Sequence, residues 1–424
     1  MTIAQSTLIK IDEDKIRNFV SLLSGSVGRM IISIAYFVAV ANALSLEEFG
    51  LFATASATGV VLSRLAGFGF ISPLYRTATV RPRLIGAYTL GYVAAFFLSL
   101  PFVLIVAMGF YWLVFSSGMA LAAFLFVMAA EVVFWRSTEA VIIVNNGLTR
   151  FAIGAFLTIA GTAIRAVMAV SFLYFGDGTL DSWAVLYLVA NAISFAFSAL
   201  FFFPTTRFRW KPKAYVGRMR DALSVSAAEV LFYLQMELDK ILVLAVGGEA
   251  TAGLYAIIMR LVDLTAMPVR AFNTLLVQGI MKRRGTIAGM KTRILTELGI
   301  AIISIGGLVA LVILLNFAPG ILGQNIAQAS GFLYLVLLVP ALRNLVEYHA
   351  ELLYAREQTF ARAVILGLVG AVKATLLVLL LITMQDFSDR AIWLNAIFVA
   401  LYLVSAISTY GIALKIRDAA MAIK

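Results

Sequence analysis

Apolar positions run along the chain in long blocks, broken by short polar connections. A membrane-spanning helix needs about 20 mostly apolar residues. Twelve such blocks can be read, at 19–42, 49–72, 84–108, 118–144, 150–174, 183–203, 223–246, 253–279, 294–316, 330–354, 362–384 and 391–414. The fourth is interrupted by Glu131, Arg136 and Glu139. Pro101, Pro268 and Pro340 fall inside blocks and predict kinks, where neighbouring helices satisfy the freed carbonyls. The pattern predicts an all-α, polytopic membrane protein with twelve transmembrane helices.

Composition agrees with that reading. Of 424 residues, 62% are hydrophobic and 13% charged, and the mean hydropathy is +0.99. A soluble chain carries about a quarter charged residues, so lipid is the expected solvent for most of this one. The charge balance adds sidedness. With the N-terminus inside, the inner connections and tails hold 23 Lys/Arg, and the outer connections hold one, Arg390. The positive-inside rule then places both termini in the cytoplasm and the protein in the cytoplasmic (inner) membrane. The net charge of +11 is explained by anionic headgroups rather than nucleic acid. The polar, mixed-charge first eighteen residues lack a signal-peptide pattern, so the first span is expected to remain as an anchor.

The basic segment after the sixth block divides the chain into a six-helix bundle at 1–206, a cytoplasmic linker at 207–222 and a second six-helix bundle at 223–424. Weak self-similarity supports this. The second block opens Phe49-Gly50-Leu51-Phe52-Ala53, and the eighth opens Ala252-Gly253-Leu254-Tyr255-Ala256. The fifth carries Phe151-Ala152, Gly161 and Arg165; the eleventh carries Phe360-Ala361, Gly370 and Lys373. Both halves start in the same direction, which is a parallel repeat.

Several chemistries are excluded. There is no cysteine and one histidine, His349, so disulfides, thiol nucleophiles and a multi-histidine metal site are ruled out. There is no Walker A loop, no Gly-x-Ser-x-Gly elbow and no dinucleotide fingerprint. No enzyme activity, cofactor or metal is expected.

The remaining chemistry lies in charges inside the spans. Each costs at least roughly 2.5–3.5 kcal/mol at mid-bilayer, so each should face a cavity or a partner. Arg29, Arg64 and Arg270 lie about 12–15 Å from the inner ends of their helices and are expected to converge on an anion, because guanidinium binds phosphate bidentately. Asp239, Lys240, Arg260 and Asp263 form a second group, with an Asp239–Arg260 salt bridge as its default pairing. Asp239 or Asp263 binding H+ or Na+ is the sharper alternative, and Glu131 is a further ion-coupling or salt-bridge candidate. Arg343, Glu347 and Glu351 make one stripe on the tenth helix, with the titratable ring of His349 beside it. Tyr36, Tyr88, Tyr92 and Trp135 offer faces for sugars, whereas Tyr111, Trp112 and Trp183 read as interfacial belt residues.

The segments Leu44-Ser-Leu-Glu-Glu-Phe-Gly-Leu-Phe-Ala53, Leu238-Asp-Lys-Ile-Leu-Val-Leu244 and Gly253-Leu-Tyr-Ala256, with the Arg260 helix and Asn145-Asn146-Gly147, carry a resemblance over the whole chain. It resembles the multidrug/oligosaccharidyl-lipid/polysaccharide exporter superfamily, in particular its polysaccharide transporters, the O-antigen-type flippases. The resemblance implies two six-helix bundles around a central cationic cavity. It also implies flipping of a polyprenyl-pyrophosphate-linked oligosaccharide to the outer leaflet by alternating access. The expected binding residues are Arg29, Arg64, Arg270, Arg165 and Lys373, and the expected partners are the lipid-linked glycan, the bilayer and a glycan polymerase. A cation-coupled multidrug antiporter of the same superfamily is the alternative, and a membrane enzyme of glycan assembly a more distant one.

Overall fold

A computed structural model describes residues 28, 30–282, 290–318, 320–356 and 358–422. Among the described residues the chain is all-α, and its helices follow a fold of twelve transmembrane helices in two six-helix bundles around a central cavity; seven are by themselves long and apolar enough to cross a membrane, or nine if each bent pair is one span. The first bundle starts with α1 (Met30–Ala43). Next come α2 (Leu46–Ser63) and α3 (Ile71–Val80), two parts of one span bent by 48°. Then follow α4 (Ile85–Phe110), α5 (Leu121–Met128) leading into α6 (Arg136–Gly147), α7 (Phe151–Phe175) and α8 (Leu180–Phe202). The second bundle holds α9 (Pro212–Gly247), α10 (Glu249–Lys282), α11 (Met290–Phe317), the pair α12 (Gln324–Ser330) and α13 (Val339–Ala355), α14 (Thr359–Thr383) and α15 (Phe387–Ala422).

Three local differences from the sequence pattern matter for the site. The second span is broken after α2. Gly67, Phe68 and Gly69 have φ of 73°, 48° and 70°, a left-handed run that no helix continues through. Gly69 is required there twice over, because a Cβ would lie 2.2 Å from the Ala222 carbonyl oxygen of α9. In the fourth span, residues Ala129–Trp135 form a π-helical stretch between α5 and α6. In the tenth span, Pro340 sits in the first turn of α13, where its missing N–H is not needed, and the 51° bend of this span falls earlier, between α12 and Leu333. Pro101 and Pro268 do lie inside α4 and α10. The segment expected as a linker becomes helix from Pro212 onward, as the start of α9.

The bundles also meet closely at the end opposite the basic connections. The N-terminus of α2 is set by a capping box: Ser45 Oγ accepts from Glu48 N at 3.2 Å, and Glu48 Oε2 accepts from Ser45 N at 3.1 Å. Gly50 then lies against α10, where a Cβ would come within 2.6 Å of Glu249 O and Gly253 N. Gly253 lies in turn against Leu46 O. The glycines that match in the two halves of the sequence therefore face one another. Beside them, Asn42 donates to Leu322 O at 2.7 Å, and Asn325 donates to Ala41 O and Leu44 O at 2.7 and 2.8 Å.

Candidate functional site

A cavity of about 340 Å³ lies between the bundles. Seven spans supply its polar lining. Ser33 and Tyr36 come from α1, Ser56 from α2, Glu131 and Trp135 from the π-helical stretch, Arg165 from α7, Tyr187 from α8, Lys240 from α9, and Arg260 and Asp263 from α10. Five of the charged residues singled out in the sequence, Glu131, Arg165, Lys240, Arg260 and Asp263, thus share one space.

Their partners differ. The Glu131 carboxylate is buried and accepts from Ser56 Oγ at 2.6 Å and Tyr187 Oη at 2.5 Å. The π-helical turn carries Glu131 onto α2 beside Gly59, where a Cβ would stand 2.8 Å from its Cβ and Cγ. The Arg165 guanidinium lies over the Trp135 ring, 4.7 Å from its centroid. Arg260 donates to Ser33 Oγ at 2.5 Å, and Lys240 pairs with Glu237 one turn earlier on α9. Asp263 lies 3.2 Å from Arg343 of α13 and 3.6 Å from Arg270. The lining holds three cations and two acids; one acid is engaged by hydroxyls and the other by arginines outside the lining.

The expected arginine trio does not form. Arg29 lies outside the described residues. Arg64 is 3% exposed and absent from the cavity lining. It donates to both oxygens of Glu139 at 2.8 Å and lies 4.1 Å from the Tyr233 ring centroid. Arg136 extends that chain, bonding Glu139 at 2.8 Å and Glu229 of α9 at 3.0 Å. The acid that neutralises Arg64 comes from another helix, which inspection of its own helix did not show. Arg270 is held between Asp263 and Glu347.

The expected Asp239–Arg260 bridge is also replaced. Asp239 pairs with Lys373 of α14 at 2.9 Å and accepts from Tyr255 Oη at 2.7 Å. Lys373 therefore faces Asp239, not the central cavity, and Asp239 already has a tethered ammonium where a coupling cation was expected. The stripe on α13 is shared among helices: Arg343 with Asp263, Glu347 with Arg270, and Glu351 with Arg362 of α14 at 2.9 Å.

Among the aromatics, Tyr36 and Trp135 line the cavity. Tyr92 is buried against Phe96, and Tyr88 stacks on Phe70. Trp183 is fully buried, not interfacial, and packs against Phe52, Phe172 and Tyr187 behind the cavity wall. Tyr111 is buried as well, and Trp112 is exposed. Ser33, Ser56 and Tyr187 were not singled out by sequence reasoning. Only the need of a buried Glu131 for donors pointed toward residues of their kind.

No family model matches the chain, and no curated protein matches it. Solved structures do. An inward-facing multidrug resistance MATE family transporter of the MOP superfamily is 16% identical, with a TM-score of 0.66 over 93% of this chain and 98% of that one. A MOP superfamily transporter from Pyrococcus furiosus, whose description speaks of a reverse polarity of its binding pocket, is 16% identical, with a TM-score of 0.59 over 94% and 95%. The MATE multidrug transporter DinF-BH is 14% identical, with a TM-score of 0.58 over 96% and 98%. The chain has the fold of these MOP-superfamily transporters, along essentially its whole length.

Proposed function

We propose that this chain carries an organic solute across a membrane by alternating access, and that the cargo is anionic. Its fold, shared with transporters, supports the first part. The observation that carries the second is the cavity lining, where Lys240 is paired with Glu237, both acids are already engaged, and Arg165 and Arg260 are the cations turned to the cavity. A diphosphate brings about two negative charges, and each hydrogen bond to a charged group contributes roughly 1.5–3 kcal/mol. The ring of Tyr36 offers a surface to a sugar, whereas one face of Trp135 is taken by Arg165. A polyprenyl-pyrophosphate-linked oligosaccharide is the cargo that joins these features, with Arg165 and Arg260 as its phosphate donors in place of Arg64 and Arg270. Arg29, four residues before Ser33 in the sequence, stays a candidate. A glycan polymerase would take the product.

A second reading has its own support. Two of the structural neighbours are described as multidrug transporters, and a buried Glu131 in the cavity is a group that a cationic drug or a coupling proton would use. The neighbour with reversed pocket polarity supports the view that cargo charge differs between proteins of this fold.

The two are separated by paired variants in cells lacking the native protein, with membrane level measured alongside. Arg165→Gln with Arg260→Gln is expected to lower glycan export at least about tenfold, the effect of losing one to two charged hydrogen bonds. Normal export by that double variant sinks the anionic reading. Efflux of a cationic dye that is lost in Glu131→Gln and kept in the arginine variant would favour multidrug transport.

A further inference from the structure

The second bundle holds a polar cluster that takes no part in the cavity. His349 of α13 is 0% exposed. Its Nδ1 lies 3.2 Å from Ser405 Oγ of α15, and its Nε2 lies 3.1 Å from Glu297 Oε1 of α11. Glu297 also accepts from the hydroxyls of Tyr402 and Tyr410, both on α15. The imidazole stacks on the Tyr402 ring at 5.6 Å and meets the Tyr410 ring edge-on at 5.3 Å. One carboxylate and one imidazole thus hold three helices together.

Among the described residues, the other titratable groups around the cluster can be named helix by helix. Arg293 of α11 lies 5.4 Å from the Tyr410 ring centroid, and Tyr348 of α13 packs beside His349. From α10, Val269 supplies apolar contact, and Arg270 turns to Glu347. From α14, Arg362 pairs with Glu351. A carboxylate within a span is costly, and an amide could join the same helices without that cost. An imidazole against a carboxylate adds what an amide lacks: one added proton changes the pair from net negative to neutral, and the Ser405 contact reverses from a hydroxyl donating to Nδ1 to a ring N–H donating to Oγ.

The helix that carries His349 also touches a residue of the cavity lining. Arg343 lies six residues earlier on α13, about 9 Å along the axis, and holds the cavity residue Asp263. We propose that His349 and Glu297 form a proton-binding site within the second bundle, coupled to the central cavity through α13 and the Arg343–Asp263 pair. Proton binding stands on the cluster alone; its use in transport rests on the function proposed above and makes H+ the coupling ion.

Two measurements test it without a cargo. The chain has a single histidine, so imidazole-labelled protein purified through a histidine-free tag gives one ring signal. From about pH 8 to about pH 5, the range in which histidine serves as a switch, the ring is expected to convert from neutral to doubly protonated. Glu297→Gln should change the proton concentration at half-conversion at least about tenfold, because the charged neighbour is gone. Tyr402→Phe keeps the ring, removes one donor and should give a smaller change. A ring that keeps one form throughout, or a half-conversion unmoved in Glu297→Gln, overturns the proposal. For the coupling, the cysteine-free chain takes spin labels at Thr179→Cys and Gln385→Cys, one on each bundle. Acidification should shift the distance distribution in the parent and not in His349→Gln. A parent that does not respond, or a shift that persists in His349→Gln, overturns the coupling. Neither result depends on which solute is carried, so the cargo reading stands or falls separately.

Discussion

At the residue scale, the buried charges show how partners are chosen. Asp239 and Lys373 are 3% and 10% exposed at their side chains. Removing one partner of such a pair leaves an uncompensated charge, which costs roughly 3–5 kcal/mol, whereas replacing both by apolar groups of similar volume is often neutral. Asp239→Asn is therefore expected to lower thermal stability in detergent strongly. Adding Lys373→Met should recover most of the loss. Equal stability of Asp239→Asn and parent would show that the pair is not structural. The types of these residues were legible in the sequence, because charges in apolar blocks stand out. Their pairings were not. Consecutive helices suggested Asp239 with Arg260, but α10 offers that carboxylate the Tyr255 hydroxyl, and its cation, Lys373, comes from α14. Arg64 was misread for a similar reason: its neutralising Glu139 is 75 residues away.

At the scale of elements, hydropathy located the twelve spans and missed their interruptions. Gly67-Phe68-Gly69 sits in an apolar run and scores as a span, although its positive φ values end α2. Nothing in a hydropathy window reports φ, and the need for glycine at position 69 comes from α9, far along the chain. Gly69→Ala is expected to cost at least about 1–3 kcal/mol, the usual cost of a non-glycine residue in a strained backbone region, with the Cβ clash at Ala222 added. It should also weaken the bond from Ser226 Oγ to Arg64 O, now 2.8 Å. Unchanged unfolding temperature in Gly69→Ala would refute this account of the break. The π-helical stretch escaped notice likewise. Glu131, Arg136 and Glu139 looked like a weak span, and they are instead the polar face that a π-helical turn brings to α2 and α9.

For the whole molecule, the repeat glimpsed in the sequence has a visible use, since its glycines 50 and 253 let α2 and α10 close on each other. The orientation in the membrane is a prediction of the charge distribution. Cysteines placed singly at Thr179 and Gln385 should react with an impermeant maleimide in intact cells, and one at Lys213 only after permeabilisation. All three sites are exposed. Labelling of Lys213→Cys from outside would invert the topology. The length of α9 adds a mechanical consequence. Its 36 residues make a rod about 54 Å long, against a hydrocarbon core of about 30 Å. Such a rod cannot be contained by the bilayer, so its basic end stands among the headgroups as a lever arm. Pivoting about 10° at the Gly247 end would sweep Pro212 roughly 9 Å across the membrane surface, turning a slight change of angle beside the cavity into a displacement large enough to be felt from the aqueous phase.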